Sequence, residues 1–184
     1  MKILLASQSP RRKELLTNLG FDFEVVKIDC EEILSENIEI ENAAAYLSEL
    51  KANAFRKLEQ DEILLTADTV VAIDNQILGK PKDEADAKNM LQKLSGKTHQ
   101  VYTGITIKTL NKTITETDVA DVELEEISEE EIDFYIKNYK PFDKAGSYGI
   151  QEWLGMAKIK NMNGSFYTIM GLPTHLAYKI LKEI

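Results

Sequence analysis

Several charged side chains in this sequence stand where charge is locally unfavourable. Asp68 lies in the middle of Ile-Leu-Leu-Thr-Ala-Asp-Thr-Val-Val-Ala-Ile, residues 63–73, a run whose composition suits a strand buried on both faces. A carboxylate there must be paired, protonated or bound to a metal, because low dielectric penalises a bare charge. The other reading is a structural Asp bonded to backbone amides at a strand end, and the run alone does not separate the two. Arg11, Arg12 and Lys13 follow Ser9-Pro10 in what reads as the first turn of a helix. The helix dipole favours anions at that end, so three cations there call for an anion of their own. Free amides, the hydroxyls of Ser7 and Ser9 and two guanidiniums make a phosphate cradle. Lys51 falls within the apolar stripe of a helix, either snorkelling to water or aimed at an anion. Lys80 sits in a Gly-Lys-Pro loop beside the Asp68 strand. Glu31-Glu32 follow a strand and read as a solvated loop or as metal ligands; taken alone, the loop reading wins.

Basic groups that grip a polyphosphate, with carboxylates that hold Mg²⁺ or activate water, describe a nucleotide hydrolase. No Gly-rich Walker loop is present, and no Ser-His or Cys-His arrangement stands out. His99 and His175 lack metal-ligand spacing and read as structural or surface residues.

The elements that must hold these groups are legible in order. Lys2 to Ala6 reads as a short buried strand, and Ser9-Pro10 opens a helix closed by Gly20. Residues 21–28 read as a second strand. Residues 39–58 read as a long helix, with Ile40, Ala44, Leu47, Lys51, Ala54 and Leu58 on one side. The Asp68 strand turns at Asp74-Asn75 into Gln76-Ile77-Leu78, and a helix over 83–94 is closed by Gly96. Residues 98–108 and 113–124 form a strand pair. Ser128 with Glu131 is a capping box opening a helix to Tyr139. Asp143 to Gln151 reads as an irregular loop in which Gly146 and Gly149 permit close backbone approach. Asn163-Gly164 predicts a hairpin between residues 157–162 and 165–170, and a last helix follows Gly171-Leu172-Pro173.

With 184 residues the chain suits one domain with a full core or two closely packed lobes. A net charge of −9 argues against a general nucleic-acid binder. The single Cys30 forms no internal disulfide, and neither a signal peptide nor a long apolar span is seen, so a cytoplasmic protein without membrane attachment is expected.

Leu5-Ala6-Ser7-Gln8-Ser9-Pro10-Arg11-Arg12, Ala67-Asp68-Thr69-Val70-Val71, Gly79-Lys80-Pro81, Leu94 to His99, Asp143-Lys144-Ala145-Gly146 through Gly149-Ile150-Gln151, and Gly171-Leu172-Pro173 resemble the Maf family of nucleoside triphosphate pyrophosphatases. The match runs through the whole chain in order, as one domain over residues 1–184. The resemblance implies an α/β fold with a long mixed sheet, flanking helices and two lobes around a cleft, similar to the inosine triphosphatases. It implies Asp68 as catalytic base, with Glu32 joining it in metal and water handling. It implies Ser7, Arg11, Arg12, Lys51 and Lys80 as holders of the triphosphate, and Arg11, Thr69 and Gln151 as positions of base selectivity. Gly149-Ile150-Gln151 resembles the subgroup acting on dTTP and UTP rather than the one acting on 7-methyl-GTP. Where the family pattern often has glycine after that Gln, this chain has Glu152 and then Trp153. The expected reaction is hydrolysis to a monophosphate and pyrophosphate with Mg²⁺ or Mn²⁺, clearing unwanted or modified pyrimidine nucleotides. The resemblance also implies a secondary association with arrest of septum formation and a homodimer. The rival expectation is a non-catalytic nucleotide-sensing regulator of cell division.

Overall fold

Asp68 is carried by the longest apolar run of the chain, and that run is the trunk of the sheet. The computed structural model describes residues 1–35 and 37–184. Strand β3, Glu62–Ile73, is buried along nearly its whole length. Strand β1, Lys2–Leu5, pairs parallel with it, Leu5 opposite Leu65, and parallel with β2, Phe23–Val25, on its other side. Strand β4, Gln76–Leu78, folds back antiparallel on β3. Asp74 and Asn75 take φ of +50° and +60° in the turn, a conformation that Asp and Asn tolerate and that suits a tight hairpin. With β5, Thr98–Lys108, β6, Thr113–Leu124, and β7, Ile159–Asn163, the seven-stranded mixed sheet has the order β2-β1-β3-β5-β6-β7, β4 pairing with β3 off that path.

The chain divides into two compact units. One comprises residues 1–69, 103–118 and 171–184; the other comprises 70–102 and 119–170. In the first, α1, Pro10–Asn18, starts with Pro10 at its first position and buries Leu15 and Leu16. Helix α2, Ile40–Ala54, buries Ala43, Ala44, Leu47, Ser48 and Ala52. It lies hard against β5: a Cβ on Gly104 would stand 2.4 Å from the Ala44 carbonyl carbon. Glycine is therefore required at 104 to seat the helix that carries Lys51. Helix α7, Thr174–Glu183, buries Ala177, Ile180 and Leu181.

In the second unit, α3, Glu84–Leu94, is capped by Asp83 and buries Ala87, Met90, Leu91 and Leu94. Helix α4, Glu129–Tyr139, opens with the expected Ser128–Glu131 capping box and buries Ile132, Tyr135 and Ile136. The loop after α4 carries a short 3-10 turn, Ala145–Ser147, with Gly146 at φ +68° packed on Val71. A short helix α5, Trp153–Lys158, which the sequence reading did not anticipate, precedes β7.

Three expectations are corrected. The long helix stops at Ala54 because Phe55 is extended, so Ala54 is exposed and Leu58 enters the core from outside the helix. The second strand spans only residues 23–25 rather than 21–28. The hairpin around Asn163-Gly164 does not form. β7 instead pairs antiparallel with β6, Asp121 opposite Asn163. Residues 165–170 then coil into α6, Phe166–Met170, with the Ser165 carbonyl accepting from Thr168 and Ile169 amides. The physical reason is that β6 is a long strand and offers a ladder; Gly164, at φ +127°, sits too close to Ala120 for any side chain. No helix among the described residues is long and apolar enough to cross a membrane.

Candidate active site

Lys51 is positioned by the last turn of α2 and Asp68 by the middle of β3. The two side chains meet: the Lys51 ammonium donates to Asp68 Oδ1 and also stands 3.2 Å from Glu32 Oε1. The Lys51 and Asp68 side chains are only 14% and 12% exposed, whereas Glu32, on the loop after β2, is 45% exposed. The Asp in the apolar strand is thus paired, and its partner is the lysine in the apolar stripe. One cation shared by two carboxylates stabilises both charges in partly buried surroundings.

Arg12 is held by α1 and by two contacts with other segments of the same unit. Its Nε donates to the Gly171 carbonyl at 2.7 Å, and its second terminal nitrogen donates to Thr69 Oγ1 at 3.1 Å. Thr69 in turn shares a hydrogen bond with Thr103 at 2.9 Å. Burial of the guanidinium lowers its pKa from the ordinary value, while the charges of Asp68 and Glu32 oppose that shift and Arg11 adds to it. Arg12 therefore lies within the field of both carboxylates. Ser7 is buried, and its hydroxyl accepts from the Ser9 amide at 3.2 Å. Ser9 is the N-cap of α1 but makes no side-chain cap, and the first turn contains no acidic residue. The exposed amides of that turn thus face a basic neighbourhood, the arrangement that suits an anion. Arg11 is half-buried beside them.

The first unit therefore brings together Asp68, Glu32 and Lys51, and sets Arg12 on Thr69 with Arg11 and Ser7 at the start of α1. Lys80 and Gln151 belong to the second unit. Lys80 is exposed in the loop between β4 and α3. Gln151 follows the glycine-containing loop; its side-chain oxygen is buried and has no hydrogen-bond partner among the described residues. His99, expected to be structural, is buried against Tyr148, its Nε2 2.7 Å from the phenol oxygen. Burial pushes its pKa down to about 4. His175 is exposed on α7.

Sequence reasoning missed two sets of supporting groups. Thr103 and the Gly171 carbonyl hold the Thr69–Arg12 pair; Thr103 carries no signal in the sequence, and Gly171 only its motif position. Lys144 and Glu152 form a buried pair in the second unit, at 3.1 Å, with Tyr135 donating to Glu152. The signal for that pair was a lysine and a glutamate at the two ends of a glycine-rich loop.

Carboxylate oxygens of Asp68 and Glu32 converging on one cation are the hard donors that Mg²⁺ or Mn²⁺ takes. No group of three or more His, Cys, Asp or Glu side chains with metal-holding geometry occurs among the described residues. A cation held by these two residues would complete its shell with water and phosphate oxygens, as Mg²⁺ commonly does.

A model of the Maf-like protein family matches residues 2–184. A protein named dTTP/UTP pyrophosphatase from Flavobacterium psychrophilum is 50% identical over 181 residues, covering 98% of this chain and 93% of its own length. Another of the same name, from Phocaeicola vulgatus, is 47% identical over 185 residues, covering 100% of this chain and 96% of its own. Among solved structures, a HAM1 protein from Coxiella burnetii superposes with a TM-score of 0.54 at 12% identity, with 100% of both chains covered. That likeness concerns the fold, and it agrees with the long mixed sheet and flanking helices expected from the sequence. The family match and the relatives carry the assignment: the chain belongs to the Maf-like protein family.

Proposed function

We propose that this protein hydrolyses dTTP and UTP to the nucleoside monophosphate and pyrophosphate. The observation that carries the reading is Lys51 held between Asp68 and Glu32, in the field of Arg12. The names of the relatives support the substrate class.

In this reading Asp68 accepts a proton from water as the water oxygen attacks the α-phosphorus. The bond from that phosphorus to its bridging oxygen breaks, and pyrophosphate leaves with the electron pair. Lys51 holds Asp68 aimed through the ion pair. Ser7, Arg11 and Arg12 are assigned to the phosphates, where guanidiniums and helix amides neutralise the charge of the leaving group. Asp68 and Glu32 are assigned to Mg²⁺ or Mn²⁺. When bound, such a cation neutralises triphosphate charge and lowers the pKa of water.

Base choice is assigned to Gln151. A buried acceptor without a donor costs about 1–3 kcal/mol, so the Gln151 oxygen favours a base that brings an N–H to it. Uracil and thymine carry a proton on N3; neutral cytosine does not. The same amide also offers a donor to a flanking carbonyl.

The test is incubation of the protein with UTP, dTTP, CTP or GTP and Mg²⁺, with phosphate measured before and after added pyrophosphatase. The expected result is phosphate that appears only with the added enzyme, fastest from UTP and dTTP, and UMP as the nucleotide product. UDP and free phosphate as primary products would overturn the choice of bond.

A further inference from the structure

Gln151 lies between two residues that are both tied to one phenol. The Gly149 amide donates to Tyr135 Oη at 3.0 Å, and Tyr135 Oη donates to Glu152 Oε2. The other Glu152 oxygen, Oε1, takes the Lys144 ammonium at 3.1 Å, and Lys144 also contacts Asp143 at 2.7 Å. The Glu152 amide donates to the Gly149 carbonyl at 3.1 Å, closing the turn on itself. Lys144 is 7% exposed, and the Tyr135 side chain is fully buried on α4, stacked on Tyr139. There is no slack in this arrangement: a Cβ on Gly149 would stand 3.0 Å from Glu152 Cδ and 3.1 Å from Lys144 Cε. Burial, with Glu152 as a second cause, pushes the Tyr135 phenol up from its ordinary pKa, so it stays protonated and remains a donor.

We propose that Tyr135, Glu152 and Lys144 are positioning residues for base recognition: they clamp residues 149 and 152 to α4 and thereby fix where the Gln151 amide points. The inference rests on the proposed dTTP/UTP activity and adds residues that touch Gln151 only through the backbone. A single amide can discriminate bases only if its acceptor is held in place. A loose amide would rotate or shift to satisfy either edge, and the discrimination that comes from an unmatched buried polar group would be lost. Held through Tyr135 on α4 and through the Glu152–Lys144 pair, the amide has no such freedom.

Tyr135→Phe removes the shared hydroxyl and keeps the ring. The expected result is a fall of about tenfold in the ratio of kcat/KM for UTP to that for CTP, through a raised KM for UTP, with kcat on UTP within about twofold of wild type. Because the variant acts through Gln151, Tyr135→Phe combined with Gln151→Ala should discriminate no worse than Gln151→Ala alone. If Tyr135→Phe melts too low to assay, Glu152→Gln carries the same test, since its single carbonyl oxygen cannot serve both the phenol and the ammonium. Wild-type discrimination in Tyr135→Phe or in the substituted Glu152→Gln, or additive losses in the double variant, would overturn the inference. A wild-type protein that does not hydrolyse UTP, or that hydrolyses CTP equally well, would instead overturn the function on which it rests.

Discussion

Each compact unit contains a lysine held between two carboxylates, and the two sites differ in how fully the more buried carboxylate is hydrogen-bonded. In the second unit Lys144 is buried, and Glu152 has each oxygen taken, one by the ammonium and one by the Tyr135 phenol. In the first unit Lys51 meets Asp68 through Oδ1; in both sites the lysine's other carboxylate is about half-exposed, Glu32 at 45% and Asp143 at 56%. The pairing is thus closed at Glu152, with both oxygens occupied, and open at Asp68, with one oxygen on Lys51. A closed pair can only hold the chain in shape. An open pair keeps an oxygen that can turn to water, a metal or a phosphate at small cost. Hydrogen-bond saturation distinguishes the two sites; residue type does not.

The sharpest way to break the comparison is Asp68→Asn. The amide keeps the shape but cannot take a proton from water, so turnover of UTP should fall by a hundredfold or more while the ligand-free melt is little changed. Near wild-type turnover would remove Asp68 from the chemistry.

Removing the acid from each site should then separate the two in opposite directions. Glu152→Ala leaves Lys144 buried beside only the exposed Asp143, and a loss of about 3–5 kcal/mol in denaturant unfolding is expected. Glu32→Ala removes a half-exposed partner and should cost less than about 1 kcal/mol, yet lower turnover severely. Equal stability losses in the two variants would erase the distinction drawn above.

His99 sharpens the description of the second unit as closed. Its folded pKa of about 4 lies below the ordinary 6.5, so the unfolded chain binds the proton first. The stability it permits is fully present above pH 6.5 and is lost as pH falls towards 4, by about 3 kcal/mol over the whole window. Urea unfolding of wild type and His99→Gln between pH 7.5 and 5 should show the extra loss in the wild type alone.

A small effect is expected for Arg12→Ala without nucleotide. The variant loses hydrogen bonds to Gly171 and Thr69 but also loses a cation that opposes the α1 dipole. A net loss of about 1 kcal/mol is expected. Stabilisation of the wild-type melt by UTP should be largely absent in the variant, and its full retention would assign Arg12 to structure alone.

Much of the fold could be read from the chain because local patterns and final structure agreed. The Ser128–Glu131 box, the Pro10 start of α1, the Asp74-Asn75 turn and the apolar run of β3 are each decided within a few residues. Lys51 and Asp68 were legible for the same reason: each breaks an apolar pattern that is itself local. Residues 165–170 were misread because a helix and a strand are both open to Ser-Phe-Tyr-Thr-Ile-Met, and the choice came from β6 taking β7 as its partner. The clamp on Gln151 was hidden because Tyr135 lies 17 residues from Glu152 in sequence. Nothing in the helical pattern of α4 separates a tyrosine that only fills the core from one whose hydroxyl organises a loop.

By itself, then, the sequence determined the elements, the buried charges that demanded partners and, through its motifs, the family. Only the tertiary structure decided which partners those charges found. It gave Asp68 to Lys51 and Glu152 to Lys144, and left the Gln151 oxygen without a donor among the described residues. The physical reason is range: propensity, capping and periodicity act within a few residues, whereas the desolvation that makes a carboxylate structural or reactive is set by segments far apart in the chain.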